Sequence, residues 1–184
     1  IKGSWQDIGL SVNTSIFHYV YNNKQSIRLD NNNASGIPQY LVDSSDEEAL
    51  GWDLQVMWSA TPNLGFMFSS QYIDQTYKNY VTSSNVDLSG QPTGLPVWSF
   101  ATGMNYKWEL PNASRIEFSV MHSYRDGSRC NADSQNQGSC QVSPNFTVGE
   151  DQNKTDARIQ WQSADDQWAV GAYVRNAFNN RYIG

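Results

Sequence analysis

The side chains with the most chemical potential are two cysteines, two histidines and a group of carboxylates, and their spacing decides what each can do. Cys130 and Cys140 lie in one polar stretch, RCNADSQNQGSC, with no histidine nearby to complete a metal site. This spacing favours a local disulfide, which implies an oxidising compartment. Closing so short a loop restricts the unfolded segment by about 3 kcal/mol on the chain-entropy view, bracing a loop without organising a fold. Asp43, Asp46, Glu47 and Glu48 offer hard oxygens of the kind Ca²⁺ takes, but a solvated acidic rim is the simpler reading and no metal is expected. His18 and His122 stand alone, the serine-rich segments lack a paired histidine and carboxylate, and no glycine-rich loop precedes a helix. No catalytic constellation forms, so neither enzyme activity nor a cofactor is expected.

Composition narrows the class. With 13 glycines, abundant Asn and Ser and 13% aromatic residues, the chain of 184 residues reads as one all-β domain. The formal charge of −6, with no cluster of Lys and Arg, excludes a nucleic-acid partner. A mean hydropathy of −0.61 does not exclude a membrane, because a transmembrane barrel needs only every second strand residue to be apolar. No segment approaches the roughly 20 apolar residues of a spanning helix, and no basic leader with an apolar core precedes Ile1.

Period-two alternation is the dominant signal. Trp98, Phe100, Thr102, Met104, Tyr106, Trp108 and Leu110 fall on one face of an extended strand, with Ser99, Ala101, Gly103, Asn105, Lys107 and Glu109 on the other. After Pro111, Asn112 and Ala113 the pattern returns, with Ile116, Phe118, Val120, His122 and Tyr124 opposite Arg115, Glu117, Ser119, Met121 and Ser123. That is a hairpin. A second hairpin runs from Trp52, Leu54, Val56, Trp58 and Ala60 through Thr61, Pro62 and Asn63 into Leu64, Phe66, Phe68 and Tyr72. A third joins Ala157, Ile159 and Trp161 to Trp168, Val170, Ala172 and Val174 across Ala164, Asp165 and Asp166. Residues 8 to 21 are strand-like with an unclear phase, since Phe17, Tyr19 and Tyr21 continue on the face opposite Leu10 and Val12; a bulge would reconcile them.

Short turns at 61–63, 111–113 and 164–166 alternate with long polar segments near 23–38, 78–97 and 126–155, so all long loops emerge on one rim. That is the pattern of outer-membrane barrels, whose long loops face outside. Lys107, Glu109, Arg115, Glu117, Arg158 and Arg175 alternate with the apolar face, which suits a wet lumen and not a packed core. Trp58, Trp108, Trp161 and Trp168 sit beside the short turns, as in an aromatic girdle at a membrane interface. The expected fold is an antiparallel up-and-down transmembrane β-barrel in bacterial outer-membrane lipid, with about seven to eight strands of a larger barrel over residues 1–184.

Several stretches along the chain resemble the barrel of TonB-dependent outer-membrane receptors. Ile1-Lys2-Gly3-Ser4-Trp5 resembles a strand end before a periplasmic turn, followed by an aromatic-rich strand end with Phe17, Tyr19, Tyr21 and Gln25. Ala49-Leu50-Gly51-Trp52-Asp53 and Thr61-Pro62-Asn63-Leu64 are similar to a "G-x-E" strand and its "P-x-x-L" turn, with Asp53 as the lumen-facing carboxylate where Glu is usual. Tyr72 to Tyr80, Leu88-Ser89-Gly90 and Leu95-Pro96-Val97-Trp98 resemble the family's loop ending in "L-P-x-x-P", without its second Pro. Trp168-Ala169-Val170 through Val174-Arg175-Asn176-Ala177-Phe178-Asn179-Asn180-Arg181-Tyr182 resembles a segment a few strands before the receptor C-terminus and is the most specific match. The resemblance implies a C-terminal part of a barrel of about 22 strands, without plug domain, TonB box or closing strand.

The family imports scarce nutrients, most often ferric siderophores but also cobalamin, haem or glycans, through a plug that TonB moves. Ligand contacts in such a receptor would come from Tyr77, Tyr80, Trp98, Tyr124, Arg125 and Arg129 at the outer strand ends and loops, Arg for carboxylate or catecholate oxygens and rings for planar groups. Interface anchoring or loop packing is the plainer role for each. Two rivals remain. A secreted lipocalin-like barrel is suggested by Gly3-Ser4-Trp5, although lipocalins line the barrel with apolar residues. A small eight-stranded outer-membrane anchor or adhesin would need one more strand and a terminal aromatic.

Overall fold

A computed structural model describes residues 1–30, 36–83, 85–131, 142–143, 146–147 and 149–182. Strand β1 (Lys2–Trp5) leads through one 3-10 turn (Gln6–Ile8) into β2 (Leu10–Asp30), followed by β3 (Gln39–Thr61), β4 (Leu64–Asn79), β5 (Trp98–Glu109) and β6 (Arg115–Arg125). Then come the two-residue strands β7 (Val142–Ser143) and β8 (Phe146–Thr147), β9 (Gln152–Gln162) and β10 (Ala169–Val174). One antiparallel sheet of eight strands runs β1-β2-β3-β4-β5-β6-β9-β10, while β7 pairs with β8 apart from it. The chain is all-β and up-and-down, as expected. The sheet is open, since β1 pairs only with β2 and β10 only with β9 among the described residues, and this is the form of a partial barrel.

The expected hairpins form, with Trp58 opposite Phe66, Trp108 opposite Ile116 and Trp161 opposite Val170. Their turns are tight for local reasons. Ala113 adopts φ 61° while Asn112 Oδ1 accepts from the Ser114 amide at 3.2 Å. Asp166 adopts φ 58°, and the Ser163 amide closes onto the Trp168 carbonyl at 2.9 Å. A further short connection joins β1 to β2 at Gly9, with φ 64° and an imagined Cβ only 2.5 Å from the Ser59 carbonyl oxygen, so only glycine fits. All four short connections share one rim, and the connections after β2, β4 and β6 share the other.

Two expectations need correction. The segment 23–38 is not mainly loop: β2 continues to Asp30 and pairs through Leu29↔Tyr40 and Asp30↔Gln39 with a β3 that starts well before Trp52. Where polar residues occupy both faces, alternation carries no information although the backbone ladder persists, so sequence reading loses such a strand. The bulge also lies elsewhere. Register runs unbroken from Leu10↔Trp58 to Tyr21↔Glu47 and shifts only between Tyr21 and Lys24, where Asn22 and Asn23 oppose Asp46. Asn23 takes φ 54°, a region asparagine tolerates, and its amide donates to Asp46 Oδ1 at 2.8 Å. Asp46 Oδ2 accepts from Asn79 Nδ2 at 3.2 Å beside the matching irregularity on β4, so one carboxylate holds both.

The sheet has two unlike faces and almost no core. Among the described residues only Ala49, Tyr80 and Leu88 are buried hydrophobics, while Ile16, Leu50, Trp58, Val120, Ile159 and Val170 on the apolar face remain exposed. The chain presents 12470 Å² to solvent, against roughly 8,900 Å² for a compact monomer of 20.8 kDa. Nothing in the described chain covers that face, which sets it apart from a soluble sandwich. No helix among the described residues is long and apolar enough to cross a membrane, a statement that leaves strands untouched.

Candidate functional site on the polar face

The register brings the charges predicted to face a lumen onto one side. Lys107 lies opposite Glu117, Glu109 opposite Arg115, and Arg158 between Ser119 and Tyr173, with Arg175 two residues further on the same face. Asp53 faces the same way between Ser15 and Gln71 and accepts from the Ser15 hydroxyl. The charges neutralise one another locally. Lys107 reaches Glu109 at 2.9 Å, Arg115 bridges Glu117 at 3.4 Å and Asp166 at 3.0 Å, and the Arg175 guanidinium lies 5.5 Å from the Tyr173 ring centre. Hollows open along this face, one of about 530 Å³ against Ser15, Asp53, Gln71, Ser99 and Ser123, another of about 550 Å³ against Asn105, Lys107, Glu117 and Arg158.

At the long-connection rim the polar face closes over. Asp43, Ser45, Glu47, Ala49 and Gly51 alternate along β3 and are all buried, whereas Gln55, Met57 and Ser59 further down the same face are exposed. The Phe17 ring lies over Gly51, where a Cβ would approach its Cζ to 2.4 Å and the Tyr72 carbonyl oxygen to 2.6 Å. Glu47 is enclosed by donors: Lys24 Nζ at 2.8 Å, Ser45 Oγ at 3.3 Å, and the Gln75 amide, whose oxygen in turn accepts from the Tyr19 hydroxyl at 3.2 Å. Asp43 accepts from the Tyr80 hydroxyl and the Ser83 amide, both at 3.1 Å, so the segment after β4 folds back onto the face. That segment is held by the Leu88 amide donating to the Tyr80 carbonyl at 2.8 Å and the Gly90 amide donating to the Tyr77 carbonyl at 2.7 Å. Hydrogen bonds from the Ser89 side chain and amide hold the Asp87 carboxyl below its ordinary range and tighten the same turn.

The acidic group is therefore no uniform solvated rim. Asp43 and Glu47 point into the covered polar face, while Asp46 and Glu48 occupy the other, Glu48 meeting His18 Nε2 at 2.7 Å and Lys78 at 3.3 Å. Strand alternation splits the four carboxylates into two pairs facing apart. No three His, Cys, Asp or Glu gather into a metal-sized group among the described residues.

The six ligand candidates do not form one patch. Tyr77 and Tyr80 stand together with ring centres 4.7 Å apart on the polar side. Trp98 and Tyr124 lie on the apolar face instead: Trp98 packs against Trp52 at 5.5 Å and Tyr72 at 4.9 Å, and Tyr124 stacks on Phe100 at 5.2 Å with its hydroxyl donating to Asp126 at 2.8 Å and Asp151 at 3.2 Å. Arg125 faces the polar side opposite Ser99, and Arg129 is bound to Asp74. Cys130 Sγ lies 3.7 Å from the Ser128 carbonyl oxygen, while Cys140 is outside the described residues and the pairing with it.

Alternation set Phe17, Tyr19 and Tyr21 on the face opposite Leu10 and Val12, where they stand, but the bulge invoked to reconcile them is absent there, and the Lys24, Glu47 and Gln75 network was missed. The unbroken phase from Leu10 to Tyr21 was the available signal, obscured by the adjacent bulky pair Ile16 and Phe17. No family model and no curated protein matches the chain.

Proposed function

We propose that the chain is part of a bacterial outer-membrane β-barrel of the TonB-dependent receptor type, importing a ferric siderophore. The observation that carries this reading is the apolar face that nothing in the described chain covers, bordered by aromatic residues at both ends. On β5 the bordering tryptophans are ten residues apart, Trp98 and Trp108. Ten residues rise roughly 34 Å along a strand. A tilt of about 40° reduces that to about 26 Å, near the ~25 Å apolar band of such barrels. The Trp58 indole donates to the Ile8 carbonyl at 3.1 Å and that of Trp161 to Ser114 Oγ at 3.3 Å, keeping their polar edges toward the short-turn rim, as interfacial anchors do.

Lipid covering the apolar face leaves the hollowed polar face to water, and segregated connections then set the long ones outside. A disulfide from Cys130 to Cys140 belongs to the exterior in this arrangement. Cargo recognition falls to the outer part of the polar face, and the energy for import comes from TonB acting through a plug domain. The lipocalin-like alternative requires apolar groups on the hollow face, where Asp53, Lys107 and Arg158 stand instead. An eight-stranded anchor matches the strand count but needs β1 to pair with β10.

Labelling on cells tests the reading. In a background with Cys130 and Cys140 replaced by Ser, Ser89→Cys should react with an impermeant maleimide on intact cells, and Asn112→Cys only after permeabilisation. Labelling of both alike on intact cells, or recovery of the protein in a soluble fraction, would defeat the membrane reading. Uptake of radiolabelled ferric siderophore that persists without TonB would defeat the receptor reading alone.

A further inference from the structure

The wet face of a barrel strand is ordinarily hydrophilic, and the first part of β2 obeys this with Ser11, Asn13 and Ser15. The next three positions on the same face are Phe17, Tyr19 and Tyr21. Their rings form a continuous ladder, Phe17 and Tyr19 stacked at 6.2 Å and 8°, Tyr19 and Tyr21 edge-on at 4.9 Å and 60°. Gly51 accommodates the first ring and Gln75 holds the second hydroxyl. The third ring stays open, with Tyr21 53% exposed. Pairing extends the row sideways from Tyr21 through Glu47 to Tyr77, so rings flank a carboxylate already neutralised by Lys24.

The charge around this ladder selects what can rest on it. Among the side chains described at the long-connection rim, over segments 22–51, 73–97 and 125–155, nine Asp and Glu stand against five Lys and Arg. Of these five cations, Lys24, Lys78, Arg129 and Lys154 are in ion pairs, with Glu47, Glu48, Asp74 and Asp156, and Arg125 faces the polar side opposite Ser99. Ring faces are themselves negative and repel anions while attracting C–H groups and cations. The net negative charge of the rim adds to that repulsion.

We propose that the Phe17–Tyr19–Tyr21 ladder is a stacking wall for cargo without net negative charge. This rests on the receptor reading and narrows it: a neutral ferric tris-hydroxamate fits, and a trianionic ferric tris-catecholate does not. Of the two arginines expected from the sequence to meet carboxylate or catecholate oxygens, Arg129 is paired with Asp74 and Arg125 faces the polar side opposite Ser99.

Cells whose iron uptake depends on the full-length protein decide the matter when offered radiolabelled iron as either complex. The expected result is import of the tris-hydroxamate, with apparent affinity about fivefold weaker in Tyr21→Ala and retained in Tyr21→Phe. Should Tyr21→Ala fail to assemble, Tyr21→Leu, which keeps apolar bulk but no ring, answers the same question. Preference for the tris-catecholate, or unchanged affinity in the ring-less variants, overturns the stacking wall and leaves the receptor standing. Import of neither complex overturns the siderophore-receptor reading and the inference with it.

Discussion

Strand β3 contains two regions that obey opposite rules. From Trp52 to Trp58 it is amphipathic, with Trp52, Leu54, Val56 and Trp58 on one face and Asp53, Gln55 and Met57 on the other. From Val42 to Gly51 the faces keep their phase but burial inverts: Asp43, Ser45 and Glu47 on the polar face are the buried positions, while Val42 and Leu50 on the other are exposed. In the first region solvent type sorts the side chains. In the second, neighbouring side chains and a folded-back segment do, because a buried carboxylate is tolerated once donors surround it. The lesson is that exposure along one strand follows what lies over each face, not the hydropathy of the residue.

Substitutions can break this contrast, and the largest effect belongs to the amphipathic region. Met104→Arg on the apolar face of β5 should destabilise the bilayer-embedded barrel by about 2–4 kcal/mol, and Asn105→Arg, one residue away on the wet face, by far less. Denaturant titration of the full-length protein in lipid vesicles measures both, and equal costs would remove the distinction between faces. In the inverted region Glu47→Ala strips Lys24 and Gln75 of their shared acceptor. Lys24 is half exposed and recovers water, so the cost should be about 1–3 kcal/mol and not that of a fully buried pair. Faster proteolysis between residues 80 and 97 is the expected sign, and unchanged protection would show that the network does not hold that segment.

Gly51→Ala should cost about 1–2 kcal/mol through displacement of the Phe17 ring and strain against the Tyr72 carbonyl, visible as lost Tyr19 hydroxyl protection. The smallest effect is a matter of pH at the short-turn rim. The Ser163 hydroxyl and the Gln167 amide hold the Asp165 carboxyl below its ordinary range. Its contribution to the turn is therefore present above the unfolded pKa and is lost as pH falls through the lowered folded value. Hydrogen exchange of the Gln167 amide should quicken across that acidic window, and Asp165→Asn should abolish the pH dependence.

Where alternation was two-sided, as between Trp98 and Tyr124, hairpin and faces were both legible, because period two converts directly into which side a residue occupies. The outer extensions of β2 and β3 were not, since polar residues occupy both faces there, one of them covered, and the pattern is lost while the ladder continues. The candidate site was legible only in part. Tyr77 and Tyr80 stand together on the polar side, but Trp98 and Tyr124, equally aromatic and near strand ends, face the other way. Residue type names a chemical capacity, and strand phase decides where it is delivered.

The sequence by itself determined the all-β class, the three hairpins and the sorting of short and long connections to opposite rims, because turn chemistry and alternation are local properties. Only the tertiary structure decided that Asn22 and Asn23 form the bulge, that Glu47 is buried among Lys24, Gln75 and Ser45, and that Phe17, Tyr19 and Tyr21 share a face with it. Apart from the Ser45 contact, those outcomes depend on partners 23 to 56 residues away in the chain, and no local pattern encodes which neighbour a strand will meet.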